Sequence, residues 1–346
     1  LKLTVRFSVA TSLQGGGAHG AFTWGVLDKL LEDGRVNIDS ISACSAGSLT
    51  AAVFAQGRLK GGNDGARQAL HDFWKKVSQV EHLSTEHQKP VYDTFMRYFQ
   101  YNAFDNITKM LSPYQFNRLN INPLRNIVES LVDFDELKYN KMTGLFITTT
   151  NVRTGKVRVF NTEEISLDVV MASACLPYLF QAVKVDDDYY WDGGYSGNPA
   201  IFPLFYHSTT RDVIVVHINP MIRSKLPTKS NEIANRINEI TFNCSLLHEF
   251  RAIDFVKKIL KEGWIKDEHR HNLHDMYIHS IRADEALHAF NVTSKFDTHW
   301  YFLTYLRDLG RIEAKNWLAE NFNNIGKKST VDLHRDFLDN HEGEIA

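Results

Sequence analysis

The chain has 346 residues, 43% of them hydrophobic, and a formal charge of −2 with three cysteines. That length holds one large core with room for an elaboration, and so even a charge offers no basic field for nucleic acid and no acidic tail. Three cysteines do not make a disulfide framework, and no apolar run reaches the ~20 residues that cross a bilayer, so a cytoplasmic protein is expected.

Val5 to Leu13 reads as a first strand, and Leu1 to Gln14 lacks the layout of a signal peptide. Gly15-Gly16-Gly17-Ala18-His19-Gly20 follows at once. Ala21 to Leu31 has helical spacing through Phe22, Val26, Leu27 and Leu30, with Gly34 as its stop. Asp39 to Ser42 reads as a second strand, and a helix starts near Ser48. Strand, loop, helix, strand, turn, helix is the opening of an α/β layered fold. Gly57 to Gly65 reads as a loop, and Ala66 to Val77 as a helix.

Residues 90–134 are rich in aromatic side chains, with Ser112-Pro113 and Asn122-Pro123 as breaks. This segment is expected to form short helices outside the sheet, as a cap-like insertion with rings that line an acyl channel, touch a membrane surface or pack on one another. Gly144 to Thr150 and Lys156 to Phe160 read as a hairpin through Thr154-Gly155. Ser166 to Ser173 is the start of a helix, and Val213 to Ile218 a buried strand. Residues 221–346 are mostly helical: Ser230 to Glu262, then a short strand from Met276 to Ile281, then Trp300 to Phe322 with a break at Gly310. Neither a low-complexity linker nor an internal repeat divides the chain, so residues 1–346 are expected to form a single domain.

Three segments carry chemistry. Ala43-Cys44-Ser45-Ala46-Gly47 places Ser45 on a strand-to-helix turn, where hydrolases present a nucleophile. Gly15, Gly16 and Gly17, between a strand and a helix, leave N–H groups free to point at a developing negative charge, as an oxyanion hole requires. Tyr190-Trp191-Asp192-Gly193-Gly194 sets an aspartate in a turn, where it serves either as a local backbone acceptor or as the base for a nearby serine. The glycine run also satisfies the spacing of a dinucleotide fingerprint, with Asp39 as its acidic residue. That reading puts Asp39 before its strand and gives Ser45 and Asp192 no role.

With these segments in place, the chain resembles the patatin-like phospholipases, a family of lipid acyl hydrolases. The resemblance rests on Gly15 to Gly20, on the Ser45 elbow, on Asp192-Gly193-Gly194 and on Ala172-Ser173-Ala174-Cys175-Leu176-Pro177. It covers roughly Val5 to Pro220. It implies an α/β fold of three layers, α/β/α, with a mainly parallel central sheet and the aromatic-rich helical elaboration. It implies hydrolysis of carboxylic esters of the phospholipase A or lysophospholipase type through a Ser45–Asp192 dyad and an acyl-serine. Gly15, Gly16, Gly17 and Ala46 would donate to the oxyanion, and His19 and Pro177 would contact substrate. No cofactor and no metal are expected. The partner is a phospholipid or other acyl ester, met in transient contact with a membrane surface.

The chain departs from the family pattern at Ala43, where the elbow has glycine, and at His19, where the loop is usually basic. Other readings stay open: an esterase or thioesterase on soluble or storage-polyester substrates, and a non-catalytic lipid-binding protein of the same fold. His217 and His279 are candidates for a triad, although a core or surface histidine is the plainer reading of each. His269, His271 and His274 read as a solvated face. Cys44 is expected to turn away from the site.

Overall fold

The computed structural model describes residues 6–80, 112–223, 225–266, 275–282, 284–290 and 292–339. Its centre is an eight-stranded sheet. In chain order the elements are β1 (Phe7–Leu13), α1 (Gly20–Asp33), β2 (Val36–Ala43), α2 (Ala46–Ser78), and the short helices α3 (Pro113–Phe116), α4 (Pro123–Leu131) and α5 (Phe134–Leu137). Then come β3 (Gly144–Asn151), β4 (Val157–Asn161), α6 (Leu167–Ser173), β5 (Val183–Val185), β6 (Asp188–Asp192), α7 (Phe202–His207) and β7 (Asp212–His217). The last are α8 (Ser230–Glu262), β8 (Tyr277–Arg282), α9 (Asp284–His288) and α10 (Trp300–Asn321).

The strands lie in the order β5-β6-β3-β2-β1-β7-β8, with β4 paired to β3. The run β3-β2-β1-β7-β8 is parallel, whereas β4, β6 and β5 join antiparallel. A mainly parallel sheet needs cover on both faces, and the strands supply apolar side chains to both. On β7, Ile214 and Val216 join one hydrophobic cluster, and Val213 and Val215 join the other. α1, α2 and α10 cover the first face. α7 and α8 cover the second through Leu204, Leu246 and Phe250. Because β8 pairs with β7, the C-terminal part extends the same sheet.

Three sequence expectations change. β2 begins three residues early, at Val36, because Val36 and Ile38 alternate inward on either side of the polar Asn37. The stretch from Gly57 to Gly65 is not a loop: helix continues to Lys60, and the backbone leaves helical geometry only at Gly61 and Gly62. Gly310 does not break α10, which runs through it against the backbone carbonyl of Phe22 in α1, a contact that a side chain would prevent. Asp186 and Asp187 form the turn of the β5–β6 hairpin, with Asp186 at φ 53°. Ser112-Pro113 and Asn122-Pro123 open α3 and α4 as cap and first helical residue. Residues 90–111 of the aromatic segment and the histidines at 269, 271 and 274 lie outside the described residues.

Candidate active site

Ser45 and Asp192 stand far apart in sequence, and β3 brings them together. Ala43, the last residue of β2, pairs with Ile147, and Asp192, the last residue of β6, pairs with Thr149. The two strands therefore end two residues apart along one neighbour, at the edge where α/β sheets bind ligands. Ser45 Oγ donates to Asp192 Oδ2 at 2.6 Å. No histidine stands between them. His217 is buried against Phe337 and held neutral, its pKa lowered by desolvation to about 3. His279, within β8, is paired at 2.9 Å with Asp212, the first residue of β7.

Ser45 has φ 54° and ψ −125°, a conformation in which a non-glycine residue is strained. The surroundings hold it there. Its N–H donates to Ser173 Oγ at 3.0 Å, and Ser173 Oγ donates to the Thr148 carbonyl at 2.7 Å. The Ser45 carbonyl accepts from Ser48 N and Ser48 Oγ in the first turn of α2. The close approach in the elbow falls at Gly47, where a Cβ would lie 2.5 Å from the Leu13 carbonyl. Ala43, the departure from the family pattern, ends β2 with its methyl fully buried in the main hydrophobic cluster.

Asp192 is wholly buried, and its carboxylate has three donors: Ser45 Oγ on Oδ2, and Gly194 N–H at 2.8 Å and Cys44 Sγ at 3.6 Å on Oδ1. Desolvation outweighs these bonds and raises its pKa to about 6. The fold itself thus shields the carboxylate from water. Cys44 corrects a sequence expectation: its thiol faces the same carboxylate instead of turning away. Burial and the Asp192 charge push its pKa well above the ordinary value, so it stays a thiol. Cys175, whose carbonyl accepts the Asp192 N–H at 2.8 Å, is pushed by burial to about 12.

Gly15 lies directly under the serine, where a Cβ would come within 2.5 Å of Ser45 Cβ. Its N–H donates to Asn198 Oδ1 at 2.7 Å, so it anchors the loop and is occupied. Gly17 has φ 60°, and a side chain there would strike the Lys295 carbonyl. Among the described residues no protein acceptor is found for the N–H groups of Gly16, Gly17 and Ala46. Ala46 opens α2, where N–H groups have no intrahelical partner and favour negative charge. Pro177 is half-buried in the turn after α6, two residues beyond Cys175.

His19 departs from the sequence expectation of a substrate contact. Its ring is buried, packed edge-on to Phe290, with Nε2 2.8 Å from Ser294 Oγ. Desolvation, with Lys295 nearby, lowers its pKa to about 3, so it carries no charge to offer a headgroup. The cation at this loop is Lys295, from the short helical turn Val292–Phe296. Sequence reasoning missed it, because an isolated lysine in a polar stretch has no signature. It also missed Asn198 and Asn219, although Asn198-Pro199 and Asn219-Pro220 each mark a turn that ends near the site, and it gave Ser173, quoted in a family block, no role of its own. Among the described residues no cluster of His, Cys, Asp and Glu could hold a metal ion, and no helix is long and apolar enough to cross a membrane.

A family profile described as patatin-like phospholipase matches residues 11–205. Curated proteins give no match. Among solved structures, the chain is similar to VipD from Legionella pneumophila at 15% identity and a TM-score of 0.39, covering 90% of this chain and 67% of that one. It is also similar to the type III effector ExoU, at 12% identity and a TM-score of 0.35, over 92% of this chain and 54% of that one. ExoU of Pseudomonas aeruginosa in complex with SpcU gives 14% identity, a TM-score of 0.32 and coverage of 90% and 53%. The chain thus spans about half the length of ExoU.

Proposed function

Because the chain belongs to the patatin-like phospholipase family, a family of lipid acyl hydrolases, we propose that it cleaves carboxylic esters of lipids with Ser45 as nucleophile and Asp192 as general base. The observation that carries this reading is the 2.6 Å hydrogen bond from Ser45 Oγ to a fully buried carboxylate. A pKa of about 6 leaves Asp192 ionised at neutral pH, yet basic enough to take a proton as the Oγ–C bond forms.

In the reaction, Ser45 Oγ attacks the ester carbonyl and its proton passes to Asp192 Oδ2. The carbonyl oxygen becomes an oxyanion that accepts from the N–H groups of Gly16, Gly17 and Ala46. The tetrahedral intermediate collapses, Asp192 returns the proton to the leaving alcohol, and an acyl-serine remains. Water, deprotonated by Asp192, then releases the fatty acid and restores Ser45. The ester's acyl chain and Pro177 meet in this scheme beside the Asp192 strand. Transient contact with a lipid surface goes with it, supported by the exposed Ile233, Ile237 and Ile240 on α8, the helix that also carries Phe242 against Gly194.

The test is hydrolysis of phospholipid vesicles and of short p-nitrophenyl esters by the wild type, Ser45→Ala and Asp192→Asn. Phospholipid turnover by the wild type alone is expected. Turnover of short esters with none of phospholipid would favour an esterase on soluble substrates. Equal hydrolysis by all three proteins would sink the dyad.

A further inference from the structure

Lys295 presents a buried ammonium with no carboxylate at ion-pair distance among the described residues. Its bonds go to neutral amides, Asn219 Oδ1 at 2.8 Å and Asn238 Oδ1 at 3.3 Å, and it sits 5.5 Å from the Phe242 ring centre. The carboxylate that most favours its charge, Glu239, is already bound by Arg223 and Arg236. A buried cation whose hydrogen bonds go only to neutral groups is costly as architecture, and such groups gather at functional sites.

Asn219 connects Lys295 to the glycine loop. Its Nδ2 donates to the Gly15 carbonyl at 2.8 Å, and its backbone N–H is held by Gln14 Oε1 at 3.2 Å. The Gly15 carbonyl and the Gly16 N–H belong to one planar peptide. A donor on that carbonyl draws electron density from the N–H and makes it a stronger donor. A cation on the far side of the same amide strengthens the effect, because hydrogen bonds in a chain polarise one another. The Lys295 carbonyl meanwhile lies against Gly17, so one residue fixes the loop at two points.

We propose that Lys295 is a positioning residue for the reaction, orienting and polarising the Gly15–Gly16 peptide through Asn219 so that the Gly16 N–H binds the oxyanion. The inference rests on the hydrolase reading above. The charged and titratable groups facing Lys295 are Glu239 and Asp192, which favour its charge, and Arg223, which opposes it; His19, also near, is neutral. Burial lowers the Lys295 pKa to about 8, so the relay is charged at neutral pH and loses its charge as pH rises through that value.

The experiment measures turnover of a p-nitrophenyl ester, and labelling of Ser45 by a fluorophosphonate, between pH 5 and 10. It uses the wild type, Lys295→Met and Lys295→Arg, with Ser45→Ala as the blank and circular dichroism to follow the fold. The wild type should show a falling alkaline limb near the Lys295 pKa. Lys295→Met should lose roughly 10- to 100-fold in kcat with little change in KM and should lack that limb. Lys295→Arg should recover part of the rate and carry it to higher pH, because a guanidinium stays charged. A Lys295→Met protein with the wild-type rate and alkaline limb would overturn the proposal. If that variant does not fold, the wild type decides: labelling that stays constant from pH 7 to 10 in a folded protein also overturns it. Wild-type labelling and turnover no greater than those of Ser45→Ala would overturn the hydrolase reading, and the relay with it.

Discussion

Replacing Asp192 with asparagine should abolish esterolysis and yet make the fold more stable. The folded pKa of about 6 stands above the ordinary 3.8 because burial penalises the charge more than its hydrogen bonds favour it. At pH 8 the carboxyl is ionised in both folded and unfolded protein, and the shift of about two units amounts to about 3 kcal/mol of instability. Asparagine fits the same space, keeps an oxygen for the Gly194 N–H and offers an N–H to Ser45 Oγ, so it removes the charge with little else. In a chain of this size about 3 kcal/mol raises the melting temperature by about 4 °C. The sign follows from a raised folded pKa: the penalty is whole above pH 6, shrinks as pH falls through that value, and vanishes below the unfolded pKa near 4. Differential scanning calorimetry of both proteins at pH 8, 6, 5 and 4 reads the gap directly. An Asp192→Asn protein that melts at or below the wild-type temperature at pH 8, or a gap that does not change with pH, would refute the account of Asp192 as a desolvated base.

Three more outcomes follow from the same geometry. Gly15→Ala puts a methyl 2.5 Å from Ser45 Cβ and should cut the ester turnover by roughly 100-fold or more, with most of the melting temperature retained; near-normal turnover would contradict the packing of loop on serine. Ala43→Gly, which restores the family's elbow pattern, should leave kcat/KM within about threefold and lower stability by about 1–2 kcal/mol, since it frees a strand residue and removes a buried methyl. A large gain in activity would mean that Ala43 hinders the elbow. In the native protein a thiol reagent should modify Cys244 alone, because Cys44 and Cys175 are buried with raised pKa values. Mass mapping of the labelled peptides checks this, and rapid labelling of Cys44 would show that the site opens to solvent.

Much of the fold could be read because its signals are local. The glycine run, the Ser45 turn, the alternation of strand with helix and the hairpin at Thr154-Gly155 each depend on a few adjacent residues whose backbone geometry their side chains dictate. Readings failed where a local signal met a distant neighbour. Gly310 looks like a helix break, but it is the place where α10 rests on the backbone of α1. His19 looks like a loop residue open to substrate, but α10 and the Val292–Phe296 turn enclose it beside Phe290, Phe302 and Ser294.

Local residue order dictates which side chains the site contains and where the chain turns to present them: a serine at a strand end, glycines under it, an aspartate at a second strand end. Which of these meet depends on the packing of distant segments. The pairing of Ala43 and Asp192 with one strand, β3, makes Ser45 and Asp192 partners, and burial by many distant side chains raises the aspartate pKa. Lys295 joins the site for the same reason. Desolvation and cross-strand proximity are summed over the whole fold, so no stretch of adjacent residues records them.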